Sequence, residues 1–315
     1  MIDARQSMKT TIGAMLDGTM DPADSTEFLL ANDPLHITHE QLAGAVDAVM
    51  ERANPFPAFP DALDCCGTGG DDKQTLNVST ATAIVAAACG VQIAKHGNRA
   101  VSSKSGSADV LAALGVNIDA SAKTLAKCLN EIGIAFLFAP HFHSGFAKVA
   151  PLRKAMGGRT IFNLLGPLCN PARVQRQLIG VFDKALIPTY AATCQLLGRT
   201  NVMIVHGEDG VDECSISATT HTNTHYFAPM DAGLQYHSPD ALKGGDVGHN
   251  ATALNDMLSG NAGAYRDAVL LNTAALLTIA DVADDLKSAS ALAAEAIDSG
   301  RSLATLERLK KVSYE

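Results

Sequence analysis

The run Gly67-Thr68-Gly69-Gly70-Asp71 places three glycines within four residues, and Asn77-Val78-Ser79-Thr80, Lys95-His96-Gly97-Asn98-Arg99 and Ser102-Ser103-Lys104-Ser105-Gly106-Ser107 follow it. Glycines so spaced let a backbone turn tightly and bring its N–H groups against an anion. The hydroxyls and cations beyond them are what a phosphorylated ligand needs. The loop follows an apolar segment and precedes a helical one, so backbone amides and a helix N-terminus converge on a phosphate or pyrophosphate. On its own, Gly67 to Asp71 reads equally well as a tight turn without a ligand, and Ser79 and Thr80 as helix caps. The loop fits neither G-x-x-x-x-G-K-[ST] nor a G-x-G-x-x-G with an acidic residue at ribose distance, which sets ATPase and NAD readings aside. A carboxylate at Asp71 with neutral oxygens at Asn77, Ser79 and Thr80 suits a sugar phosphate with a divalent metal better than a bare nucleotide.

A second constellation, Val205-His206-Gly207-Glu208-Asp209-Gly210-Val211-Asp212-Glu213, runs from an apolar strand into an acidic loop. Adjacent carboxylates are the hard oxygen ligands that Mg²⁺ prefers, and that ion keeps waters and takes substrate phosphate oxygens, so Asp212 and Glu213 need not close a cage. The alternative is a solvated acidic turn. Ten histidines invite a zinc reading, notably His141-Phe142-His143 and His221-x-x-x-His225, yet no cysteine partners them at zinc spacing and no H-E-x-x-H is present. The stretch from His221 to His225 is Thr-rich and reads as a surface turn. No G-x-S-x-G elbow supports a serine hydrolase.

These groups need a frame to hold them. The chain has 315 residues, is 47% hydrophobic and has a mean hydropathy of +0.10, which fits a folded protein of one or two domains. No apolar run approaches the roughly 20 residues of a bilayer span, and seven cysteines without C-x-x-C spacing fit a reducing, cytoplasmic setting. Cys65 and Cys66 read as buried thiols. A net charge of −9 excludes broad nucleic-acid or anionic-membrane binding, while Lys73, Lys95, Arg99 and Lys104 still place positive charge beside the glycine loop. Helical spacing marks the first 62 residues, in Ile12, Met15 and Leu16 and again in Leu42, Ala45, Val46 and Val49, before Pro55, Pro57 and Pro60 break it. Short apolar runs then alternate with helices: strands are expected at Ala62 to Cys66, Val91 to Ala94, Ile134 to Phe138, Leu178 to Phe182 and Val202 to Val205. Helices are expected at Thr80 to Cys89, Ser121 to Ile132 with Ser121 as N-cap, Ile187 to Leu197, Ala264 to Ala280 and Ala289 to Ser299. This rhythm predicts an α/β fold: a small N-terminal helical domain (1–62, joined by part of about 146–172) and a larger α/β domain (63–315) whose mostly parallel central sheet is flanked by helices. A cleft between the two domains follows.

Across these motifs the chain resembles the anthranilate phosphoribosyltransferases. The likeness covers nearly all of it and rests on the four runs above, on Ala108-Asp109, on Arg159-Thr160-Ile161-Phe162-Asn163-Leu164-Leu165-Gly166-Pro167-Leu168 and on Asp212-Glu213. The resemblance implies transfer of phosphoribosyl from 5-phosphoribosyl diphosphate to the amine of anthranilate. It implies that Gly67, Gly70, Asp71, Thr75, Asn77, Ser79, Thr80, Lys95, Gly97, Arg99, Ser103 and Ser107 hold the donor, and that Ser79, Asp212 and Glu213 hold Mg²⁺. Gly67, His96, Asn98 and Arg153 would meet anthranilate, with Gly166 and Pro167 lining its approach, and Lys95, His96, Asn98 and Arg153 would serve the chemistry. A homodimer through the helical domain is implied, and no nucleic-acid or membrane partner.

The chain departs from the family pattern where Pro140-His141-Phe142-His143-Ser144-Gly145-Phe146 replaces a histidine followed by Pro-Ala-Met, so the wall facing the aromatic substrate is expected to differ. His249 stands where a glutamate is common. Pyrimidine-nucleoside-phosphorylase-like enzymes share the architecture, but the runs from Lys95 to Arg99 and Arg159 to Leu168 oppose that reading. A silent nucleic-acid-binding relative would have a degraded loop and a basic surface. A regulatory protein that binds the diphosphate without turnover is the third alternative.

Overall fold

All five expected apolar runs become strands: β1 (Leu63–Gly67), β2 (Ile93–Gly97), β3 (Ile134–Phe138), β4 (Arg176–Gly180) and β5 (Asn201–Gly207). Two short strands, β6 (Thr220–Thr222) and β7 (Tyr226–Phe227), were not expected, and they form from the Thr-rich stretch read as a surface turn. The computed structural model describes residues 3–71, 73–100 and 104–315, so Ser102 and Ser103 of the serine-rich run lie outside the described residues. The sheet runs β3-β2-β1-β4-β5-β6-β7, parallel from β3 through β5 and antiparallel beyond. Mostly parallel strands joined by helices bury both sheet faces, which explains why the runs are continuously apolar.

The strand order reverses at β1: the chain next adds β2 and β3 on one side, then β4 and β5 on the other. In open α/β sheets ligands settle beyond the carboxyl ends of strands at such a reversal. The glycine loop leaves β1 there, and the acidic loop leaves β5 two strands away.

The crossover helices Val78–Ala88, Ala122–Ile132 and Leu186–Leu196 form near their expected limits, and the Ser121 hydroxyl caps the second by accepting from the Thr124 N–H at 3.1 Å. Two differences concern the site. The second strand begins and ends later than expected and so carries Lys95 and His96 within it. The first crossover helix has Asn77 at its N-cap, without a side-chain cap bond, so Ser79 and Thr80 lie inside the helix and do not cap it.

Two apolar clusters fill the interior. One packs Ile84, Val85, Leu129 and the helix Ala264–Ile279 against the sheet. The other unites Ile12, Leu42 and Val46 of the N-terminal helices Ala4–Asp17 and His39–Glu51 with Ile161, Leu164 and Leu165, and it continues to Ile179 and Ile204 of the sheet. Each such fully buried side chain contributes roughly 1.5–3 kcal/mol. Among the described residues no helix is long and apolar enough to cross a membrane.

Neighbouring strands β1 and β2 are in register at Leu63 and Ile93, after which side chains stand in for the ladder. The buried Asp64 carboxylate accepts from the His96 N–H at 3.1 Å and from the Asn170 amide at 2.9 Å, and that same amide donates to the Ala94 carbonyl at 2.8 Å. Backbone groups that would have joined the strands are thereby satisfied while the strands stay apart.

Candidate active site

Gly69 and Gly70 sit at φ 65° and 73°, the left-handed region that glycine enters without strain. The turn they make points the Gly69 N–H at Asp212 Oδ2, 2.6 Å away. A second backbone donor, the Ser79 N–H in the first turn of the crossover helix, meets Glu213 Oε1 at 3.2 Å. The N–H groups expected to await an anion are thus held by the protein's own carboxylates. Close backbone approach makes this possible, because a Cβ on Gly180 would lie 1.5 Å from the Asp212 carbonyl oxygen and one on Gly67 would lie 2.2 Å from Asp212 Oδ2.

Burial, and then the charge of Asp71, push the Asp212 carboxyl up to about 7. Burial also drives Glu213 well above its ordinary range, with Asp212 and Asp71 adding to it. Three carboxylates so arranged repel one another unless a cation or protons intervene, which is the condition a divalent metal relieves. Among the described residues no three His, Cys, Asp or Glu side chains converge as a closed cage. Two carboxylates open to phosphate oxygens match the way Mg²⁺ is held.

The remaining donor-side residues are brought to the same strand ends, though not all are free. Asn77 engages both ends of its amide internally, accepting from Asn250 at 3.0 Å and donating one N–H to the Ser105 carbonyl at 3.4 Å, while its backbone carbonyl accepts from the Tyr265 hydroxyl at 3.1 Å. Thr75 makes a β-bridge with Lys243. The Ser107 hydroxyl donates to the Asn98 carbonyl at 3.1 Å, and the tight contact explains Gly97, whose Cβ would meet that hydroxyl at 2.4 Å. Arg99 pairs with Asp109 at 2.8 Å and rests over the Phe138 ring, so its charge is already matched.

Alternation along β2 sends Lys95 and His96 to opposite faces. Lys95 is buried beside Thr80, Ala83 and Ile84, and its Nζ donates to the His96 carbonyl at 3.2 Å. Burial works against its charge, but the thiols of β1, Asp64 and Glu213 outweigh that and raise its pKa. His96, 3% exposed, turns the other way. Its Nδ1 lies 3.1 Å from the Gly166 carbonyl; a carbonyl only accepts, so Nδ1 carries the proton and Nε2 is a bare lone pair without a partner among the described residues.

His143, noted in the sequence within the departing segment and in the rejected zinc reading, proves to be the twin of His96. The rings meet edge to face at 5.3 Å, and His143 Nε2 donates to the Cys169 carbonyl at 2.8 Å, leaving its Nδ1 bare. Burial holds both imidazoles neutral, His96 down to about 4 and His143 to about 3. Phe146 continues the wall, 6.1 Å from His143 and 5.6 Å from Phe162. Over Phe162, at 5.7 Å from the ring centre, lies Arg153, carried by the helix Phe146–Met156. Among the described residues its guanidinium has no hydrogen bond or ion pair, and burial lowers its pKa.

Sequence reasoning also passed over Arg159 as an individual. It donates to the Gly70 carbonyl and stacks on Phe182 at 4.3 Å, tying the Arg159 to Leu168 run to the glycine loop. Asp64 and Asn170 were missed too, since a buried polar pair 106 positions apart leaves no local pattern.

Comparisons with known proteins identify the family and the fold. Residues 59–303 match the model of the glycosyl transferase family, a/b domain. The chain is 45% identical to the anthranilate phosphoribosyltransferase of Rhodopseudomonas palustris strain TIE-1, over 98% of this chain and 94% of that one. It superposes on the crystal structure of the Thermus thermophilus enzyme with a TM-score of 0.94 at 36% identity, covering 99% and 96% of the two chains. The Saccharomyces cerevisiae enzyme in complex with PRPP and Mg gives 0.89 at 30% identity, covering 99% and 94%. With a glycine loop and paired carboxylates at the reversal of the sheet, and relatives alike from end to end, the chain belongs to the anthranilate phosphoribosyltransferase family.

Proposed function

We propose that the protein transfers the phosphoribosyl group of 5-phosphoribosyl diphosphate to the amine of anthranilate, releasing diphosphate. The observation that carries this reading is the half-buried Arg153 guanidinium, without a hydrogen bond or ion pair among the described residues, at the end of an aromatic wall of His143, Phe146 and Phe162. Its fork suits a planar carboxylate, and Phe146 and Phe162 suit the ring beside it.

The donor half comprises Gly67, Gly70, Asp71, Thr75, Ser79, Thr80, Lys95, Gly97 and Ser107 near the diphosphate and ribose, with Asn77, Asn98 and Arg99 shaping the loops around them; Ser103 belongs to the same half. Ser79, Asp212 and Glu213 would hold Mg²⁺, which supplies positive charge to the departing diphosphate. The buried, charged Lys95 adds to the same field.

An aromatic amine is unprotonated near neutral pH, so attack on C1 of the ribose, with inversion, needs orientation more than activation. Arg153 fixes the carboxylate and the turn at Gly166 and Pro167 limits the approach. Asn98 and Gly67 lie on the donor side of the ring. Attack makes the nitrogen an arylammonium, far more acidic than an alkylammonium, so a weak base is enough to take its proton. The bare His96 Nε2 is such a base.

Residues 1–62 with part of about 146–172 form the helical unit in this reading and 63–315 the α/β unit, with the cleft between them. Pairing of two copies through the helical unit is supported by the exposed Leu30 and Leu35, and a cytoplasmic setting by the reduced cysteines.

The test is Mg²⁺-dependent loss of anthranilate fluorescence on adding 5-phosphoribosyl diphosphate. Turnover is expected; its absence, with the diphosphate still bound, would favour the regulatory alternative.

A further inference from the structure

Four consecutive carbonyls of the turn from Gly166 to Cys169 each accept a hydrogen bond from a side chain. His96 takes Gly166, Gln177 Nε2 takes Pro167 at 2.8 Å, Arg199 takes Leu168 and His143 takes Cys169. Gln177 and Arg199 are joined in turn, the guanidinium donating to Gln177 Oε1 at 2.5 Å. Gln177 is fully buried on β4, facing the turn. Arg199 is placed by the end of the helix Leu186–Leu196: Gly198 adopts φ 71° and the Arg199 N–H returns to the Cys194 carbonyl at 2.9 Å.

Arg199 forms no ion pair among the described residues; both of its named acceptors are neutral. A partly buried cation without a carboxylate is an expensive way to fix a turn, and burial lowers its pKa accordingly. A guanidinium nevertheless does what a neutral residue cannot: its fork reaches a carbonyl and an amide oxygen at once and fixes both in one plane.

We infer that Arg199 and Gln177 are positioning residues for the acceptor half of the reaction. By fixing the Pro167 and Leu168 carbonyls they fix the neighbouring carbonyls that hold His96 and His143, and so the direction of the two bare imidazole nitrogens. Among the described residues their side chains form no hydrogen bond with a donor-side residue. The inference rests on the anthranilate reading.

The experiment compares Arg199→Met, Arg199→Lys and Gln177→Leu with the unaltered enzyme, measuring both KM values, kcat and diphosphate binding by calorimetry. KM for anthranilate is expected to rise about tenfold in Arg199→Met and less in Arg199→Lys, which keeps one donor, while KM for 5-phosphoribosyl diphosphate stays within about twofold. The double variant with Gln177→Leu is expected to add little to Arg199→Met, because one clamp is broken twice. Equal rises in both KM values would make the clamp merely structural and overturn the inference, as would an unchanged KM for anthranilate. Diphosphate binding by the same preparation shows that each variant is folded. An unaltered enzyme that fails to use anthranilate would sink the functional reading instead.

Discussion

The two halves of the site are built from different materials. The donor half is backbone and carboxylate: N–H groups of Gly69 and Ser79 aimed at Asp212 and Glu213, with glycines wherever a side chain would collide. The acceptor half is made of rings and the Arg153 guanidinium above them, with its other polar bonds used to fix imidazoles on a turn. A ligand of high charge needs donors in number and a counter-ion. A flat, apolar ligand with one carboxylate needs a wall and a single fork. β2 divides the two, since Lys95 faces one half and its neighbour His96 the other.

The sharpest division is expected from Asp212→Asn combined with Glu213→Gln, which should remove the Mg²⁺ response and lower kcat by about a thousandfold while anthranilate fluorescence still reports its binding. A normal Mg²⁺ titration would move the metal elsewhere. Next, Arg153→Ala should raise KM for anthranilate about a hundredfold and leave 5-phosphoribosyl diphosphate binding alone, because a bidentate charge-assisted contact is lost from one half only. Parallel losses in both substrates would erase the distinction. Gly180→Ala alters no charge but drives a methyl group into the Asp212 backbone, and should weaken the Mg²⁺ response about tenfold, read from initial rates against MgCl₂.

A separate effect, on stability and not on rate, concerns the acceptor half in acid. His96 titrates at about 4 in the fold against an ordinary 6.5, and His143 at about 3, so below pH 6.5 the unfolded chain binds protons that the folded chain refuses. Stability therefore falls as pH drops from about 6.5 toward 4, by up to about 1.4 kcal/mol per pH unit for each histidine. Denaturant melts of His143→Gln between pH 7 and 4.5 should show a shallower slope than the unaltered protein; an identical slope would mean that His143 does not titrate between the two states.

Legibility in the sequence followed the same division. The donor half could be read because glycines, hydroxyls and paired carboxylates lie in short runs whose chemistry is local, and the strands because buried parallel strands are continuously apolar. β6 and β7 could not, being polar and too short to show alternation. The acceptor half was only partly visible: Arg153 and His96 came through resemblance, whereas His143 sat in a segment remarked on for its departure from the family. Its orientation depends on a carbonyl 26 residues away, and that of Arg199 on one 31 residues back. Asn77 lies in a legible run, but its bonds to Asn250 and Ser105 join residues 173 and 28 positions away and leave no local pattern.

The Asp64–Asn170 wedge between β1 and β2 bears on how the chain folds. Strands that meet at Leu63 and Ile93 and are then kept apart by side chains cannot zip together from one end. β2 has five aligned partners on β3, from Ile93–Ile134 to Gly97–Phe138, so that unit can assemble before the chain reaches Asn170. Docking onto β1 must wait for Asn170, which arrives 73 residues after the last residue of β2. The cleft end of the sheet is then the last part to become ordered, and hydrogen-exchange protection of the His96 amide should appear after that of β3.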